Sequence, residues 1–96
     1  MIGGKDEVRC AIVDSGVQRE LSGNNIFGGI TFKRSEAGIE IIENEYQDEN
    51  GHGSMVYRTL AQTDTEFYIV KVLNESNQGN SLTLCEALKW LLNIEV

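Results

Sequence analysis

The chain has 96 residues, with 8 Lys plus Arg against 15 Asp plus Glu, a formal net charge of −7. At this length a single core buries only about 60–65% of the surface that the unfolded chain exposes, so one small domain of marginal stability is the most it holds. So acidic a chain repels phosphate backbones and anionic lipid surfaces, which argues against nucleic acid or a membrane as its main partner.

No run of about 18 apolar residues is present, so no membrane span is expected. The opening Met1–Glu7 lacks an apolar h-region, and no secretory leader is expected either. The compartment that follows is the cytoplasm, with Cys10 and Cys85 reduced. Two cysteines make neither a metal pair nor a disulfide framework, and each reads as a small core residue.

Val8–Val13 is a short, mostly apolar, β-branched run that stops at Asp14-Ser15-Gly16, a turn signal. It reads as a buried, parallel strand with Asp14 at its carboxyl end. Residues 17–28 are polar and rich in Gly and Asn, a loop with one short turn. Gly29–Lys33 and Ile39–Glu43 flank Arg34–Gly38 and pair as a hairpin. The acidic run carrying Glu40, Glu43, Glu45, Asp48 and Glu49 reads as a solvated loop.

From Gly51 the pattern changes. Met55, Val56, Thr59 and Leu60 fall on one face of a helix. Glu66–Leu73 is rich in β-formers and reads as a strand. After the polar loop Asn74–Asn80, residues Leu84, Cys85, Leu88, Leu91 and Leu92 form the apolar stripe of an amphipathic helix, with Asn80 or Ser81 as its N-cap. The order strand, loop, hairpin, helix, strand, helix is an α/β arrangement built around a mostly parallel sheet with flanking helices.

The single histidine, His52, lies between Gly51 and Gly53 at the start of the first helix. Asp14 stands at the carboxyl end of a strand, where open α/β sheets place their sites. A carboxylate held against imidazole Nδ1–H fixes the tautomer and stabilises the imidazolium, so Asp14 and His52 are the right types for the base half of a nucleophilic triad. Each has a plainer reading when taken alone: Asp-Ser-Gly as a turn, and a histidine between glycines as structure.

Taken in order, the segments point further. Val8–Val17, with Ile12-Val13-Asp14-Ser15-Gly16 at its heart, resembles the Asp-box of subtilisin-like serine proteases. Asn50-Gly51-His52-Gly53-Ser54-Met55-Val56 resembles their His-box, Asn-Gly-His-Gly-Thr-His-Val. Tyr68–Leu73 resembles the family's next strand, the segment from Gly79 to Trp90 its following loop and helix, and Gly29–Phe32 the strand between the boxes. The order Asp then His, with Ser later, is that of the family. The resemblance implies the N-terminal portion of a subtilisin-like peptidase domain over residues 1–96. It also implies a catalytic role for Asp14 as orienting carboxylate and for His52 as general base. Asn77, Gln78 and Gly79 would pair with an extended substrate by β-augmentation, and Leu84 would line a substrate side-chain pocket. No cofactor and no metal are implied.

The resemblance breaks at the nucleophile. The family's Gly-Thr-Ser-Met-Ala segment is absent, as is its oxyanion-hole Asn, and Ser54 beside His52 matches the Thr of the His-box, a helix-start residue. The usual second His is Met55, and the usual Ala-Gly is Tyr57-Arg58, where a bulky Arg58 at a close-packing glycine position suggests altered packing. Three readings follow. The chain is the Asp/His-bearing part of a split serine endopeptidase, inert alone, with Ser and oxyanion Asn on a second chain and a peptide or protein as substrate. Alternatively it is an inactive subtilase-like binding or regulatory module. The third reading, an unrelated small α/β domain, leaves the four ordered segments unexplained.

Overall fold

The computed structural model describes residues 8–21, 23, 25–61 and 65–93. Strands β1 (Val8–Asp14), β2 (Ile26–Ser35), β3 (Gly38–Glu43) and β4 (Thr65–Lys71) form one sheet in the order β1-β4-β2-β3. β4 is parallel to both β1 and β2, and the β2–β3 hairpin is antiparallel, so the sheet is mixed and mostly parallel as expected. Helices α1 (His52–Leu60) and α2 (Ser81–Leu92) complete the fold. The loop expected over residues 17–28 ends earlier, because β2 already begins at Ile26.

Side chains alternate across a strand, and that alternation divides the core in two. Phe67 and Ile69 of β4 join Ile12, Val17 and Tyr57 beneath α1. Val70 of β4 joins Ile30, Phe32 and Ala87 beneath α2, so the two helices cover opposite faces. β2 contributes Ile26 to the first cluster and Ile30 to the second, although the two have the same parity. The register shift between Ile26 and Gly28 accounts for this, since one extra residue flips every later side chain to the other face.

The inward faces of both helices differ from the expected ones. On α1 the buried residues are Gly53, Ser54 and Tyr57, while Met55 is 52% exposed and Leu60 is also exposed. Small residues at 53 and 54 bring the helix start close to the sheet, and this turns Met55 outward. Tyr57 packs edge-on against Phe67 at 5.5 Å and its hydroxyl donates to Asn25 Oδ1 at 2.6 Å. The altered packing therefore falls on Tyr57, and Arg58 is exposed.

On α2 the contact face is Thr83, Ala87, Trp90 and Leu91, with Trp90 stacked on Tyr68 at 5.5 Å and edge-on to Phe32 at 6.0 Å. Leu84, Leu88 and Leu92, read from the sequence as a core stripe, are exposed, and so is Cys85. Cys10 is half-buried against the α1 cluster. Asn80 is the N-cap of α2, its Oδ1 accepting from Leu82 N at 2.8 Å and Thr83 N at 3.4 Å.

Two substitutions separate these readings in urea melts of the chain. Asn80→Ala is expected to cost about 1 kcal/mol through the lost cap. Leu88→Ala is expected to stay within about 0.5 kcal/mol of the parent, as at other exposed positions. A loss of about 2–5 kcal/mol at Leu88, the cost of truncating a core leucine, would return the leucine stripe to the core.

Candidate active site

β1 ends at Asp14, and its carbonyl accepts from Val72 N at 2.9 Å and Leu73 N at 3.3 Å, which fixes the strand end against β4. Ser15 N donates to Asp14 Oδ1 at 2.7 Å and holds the carboxylate. His52 is the first residue of α1. Its Nδ1 lies 2.9 Å from both Oδ1 and Oδ2 of Asp14. Two residues 38 positions apart in sequence thus meet. Asp14 is 14% exposed and His52 45%, so the carboxylate is sheltered while the imidazole is partly open.

Two glycines permit this approach. A Cβ on Gly53 would stand 2.2 Å from the carbonyl oxygen of Gly16, a backbone atom that cannot move aside. Gly51, the N-cap of α1, has φ +111°, a conformation side-chain-bearing residues rarely adopt.

The loop between β3 and α1 is not the solvated run that its acidity suggested. Glu40, Glu43, Glu45 and Glu49 are exposed, but Asp48 is only 3% exposed. Its Oδ1 accepts from Ser15 Oγ at 2.8 Å, Asn50 N at 2.9 Å and Gly51 N at 2.8 Å. Its Oδ2 accepts from Ser54 N at 3.0 Å and Ser54 Oγ at 2.5 Å. Burial pushes the Asp48 pKa up, but the donors from Gly51, Ser54, Asn50 and Ser15 outweigh it and lower the value from 3.8 to about 2. The missed signal was the spacing Asp48-Glu49-Asn50-Gly51, in which an aspartate accepts from backbone N–H groups two and three residues on. Elsewhere Lys71 Nζ donates to Gln47 O at 2.6 Å, and Val17 N donates to Tyr46 O at 2.9 Å.

The serines beside the pair are committed. Ser15 Oγ donates to Asp48 and accepts from Gly53 N at 2.9 Å. Ser54 Oγ donates to Asp48 and accepts from Gln18 N at 2.9 Å, consistent with a helix-start role. Neither hydroxyl proton is available to His52.

Asn77, Gln78 and Gly79 lie in the exposed loop between β4 and α2. The loop closes on Asn74: Asn74 N donates to Gln78 O at 2.9 Å, and Asn74 Oδ1 accepts from Ser76 N at 2.9 Å and Gln78 N at 3.0 Å. The turn therefore uses both backbone groups of Gln78. The carbonyls of Asn77 and Gly79 lie outside this set of bonds. Leu84 and Gly79 share a hollow of about 190 Å³ with Val72, Leu73, Asn80 and Ser81. Asn50 links this loop to the histidine: its Nδ2 donates to Glu75 O at 3.0 Å, and its Oδ1 accepts from His52 N at 3.1 Å. A larger groove of about 710 Å³, lined by residues such as Phe32, Lys71 and Thr83, includes neither Asp14 nor His52.

A carboxyl pKa lower in the folded than in the unfolded chain stabilises the fold above the unfolded value and ceases to do so as pH falls through the folded one. Asp48 is therefore expected to contribute about 2 kcal/mol at neutral pH, lost as the pH falls from 3.8 through about 2. Asp48→Asn is expected to lower stability at neutral pH and to flatten its dependence on pH in that window, as measured by urea melts at a series of pH values.

No family model matches the chain. Among curated proteins it is similar to subtilisin of Bacillus pumilus, 28% identical over 97 aligned positions that cover 90% of this chain and 33% of that one. It is similar to subtilisin E of Bacillus subtilis strain 168, again 28% identical over 90% of this chain but 24% of the relative. With Subtilisin Savinase of Lederbergia lenta the identity is 31%, over 90% of this chain and 33% of the relative. The chain spans a quarter to a third of the length of these curated relatives. Over nine-tenths of its own length, then, the chain is similar to part of the subtilisins.

Proposed function

We propose that this chain supplies the aspartate and the general base of a subtilisin-like serine endopeptidase whose serine and oxyanion-hole asparagine come from a second chain. The observation that carries this reading is the contact of His52 Nδ1 with both Asp14 oxygens at 2.9 Å, with the side chain nearly half exposed. In that geometry Asp14 holds the neutral imidazole with its proton on Nδ1, leaving the Nε2 lone pair outward.

The chemistry is acyl transfer. A serine hydroxyl from the second chain gives its proton to His52 Nε2 as its oxygen attacks the scissile carbonyl. Asp14 stabilises the imidazolium, which then protonates the leaving amine, and water releases the acyl group by the same path in a second round. In this scheme Asn77, Gln78 and Gly79 flank the extended peptide or protein substrate, and Leu84 lines a side-chain pocket.

Two surface features support a second chain. β1 pairs only with β4 among the described strands, so its other edge offers unpaired backbone groups. Leu84, Leu88 and Leu92 form an exposed ridge on α2, with Leu92 at 86% exposure. The commitment of both neighbouring serines to Asp48 supports an external nucleophile.

The test is to mix the chain with a candidate serine-bearing chain and expose both to a fluorophosphonate probe. Labelling of the second chain is expected only in the presence of this one, and is expected to vanish with His52→Ala. Labelling that ignores this chain, or two chains that fail to co-elute on size exclusion, would overturn the reading in favour of an inactive binding module.

A further inference from the structure

We propose that Asp48 is the positioning residue of the Asp14–His52 pair: its buried carboxylate ties the end of β1 to both flanks of His52, and so sets the angle at which the two side chains meet. The inference rests on the reading of Asp14 and His52 as the base half of a triad.

The imidazole is nearly half exposed, and its Nδ1 meets the Asp14 carboxylate. The ring's position is therefore inherited from the backbone of residues 51–54. Four N–H groups of that segment have directional partners outside the helix. Gly51 N and Ser54 N donate to Asp48 itself, on either side of His52. Gly53 N donates to Ser15 Oγ, whose own proton goes to Asp48 Oδ1. His52 N donates to Asn50 Oδ1, and Asn50 N again donates to Asp48. Every one of the four ends on Asp48, directly or through one intermediate.

The other side of the pair ends there too. Ser15 follows Asp14 directly, holds its carboxylate through the backbone N–H, and donates its hydroxyl to Asp48. The contact of Gly53 with Gly16 limits how close the two segments come, and Gln18 N donating to Ser54 Oγ adds one directional bond between them. The bonds at Asp48 supply the rest, and Ser54 Oγ itself donates to Asp48.

Five donors converge on one side chain, and only a carboxylate accepts all of them. An asparagine of the same shape offers a single acceptor oxygen and turns an NH₂ toward donors. The negative charge also faces the first N–H groups of α1, where the helix dipole favours it.

The readout is the tautomer of His52 in the ¹⁵N-labelled chain by itself, taken from the ring ¹⁵N shifts at a pH where the imidazole is neutral. In the parent chain the Nδ1–H form is expected to dominate. In Asp48→Asn and in Ser15→Ala it is expected to lose that dominance to the Nε2–H form, with backbone amide spectra otherwise those of a folded chain. A merely structural role for Asp48 would change stability without moving the tautomer. Ser15→Ala leaves four of the five donors on Asp48, and it carries the test where Asp48→Asn does not fold. Folded variants that keep the Nδ1–H form would overturn the positioning role. A parent chain that lacks this form would instead overturn the reading of the pair.

Discussion

A buried, ionised carboxylate is costly unless its oxygens are filled with donors, and Asp48 meets that condition with five. The constraint works in both directions. The carboxylate needs those donors to stay ionised in a site that is 3% exposed. The donors belong to the strand end after β1, the loop before α1 and the first turn of α1, and Asp48 is the one side chain that accepts from all three segments. Satisfying one side chain assembles the corner on which Asp14 and His52 face each other.

The rest of the molecule is arranged around that corner. The parallel pairing of β1 with β4 places Asp14 at the rim of the sheet, and β4 runs on into the loop that carries Asn77, Gln78 and Gly79. Asn50 bridges that loop to the histidine backbone. Among the described residues, the two serines adjoining the corner give their hydroxyl protons to Asp48. The bonds that converge on Asp48 thus occupy both neighbouring hydroxyls, and the proposed scheme accordingly takes its nucleophile from elsewhere.

Much of this was legible in the residues. β-branched runs marked β1 and β4, the glycine-flanked break marked the hairpin, and the order of elements marked an α/β sheet covered on both faces. Asp14 and His52 stood out through the segments around them, and the structure brings them together. The helix faces were less legible. Periodicity reports which residues share a face, not which face the sheet takes. On α2 the sheet takes Thr83, Ala87 and Trp90, because small residues allow close approach and a stacked ring fills the remainder. Asp48 was hidden by composition. It sits among exposed glutamates, and a charged run gives no sign that one member has turned inward. Only its spacing to Asn50 and Gly51 distinguished it.

The corner depends on Asp48 being ionised inside the fold under conditions where an ordinary carboxyl takes up its proton. A ¹³C titration of the Asp48 carboxyl in the folded chain measures this directly. The carboxyl signal is expected to stay in its ionised position down through the ordinary carboxylate range and to titrate at about 2. A midpoint near 3.8 while the chain is still folded would mean that the donors do not hold the charge, and would contradict it.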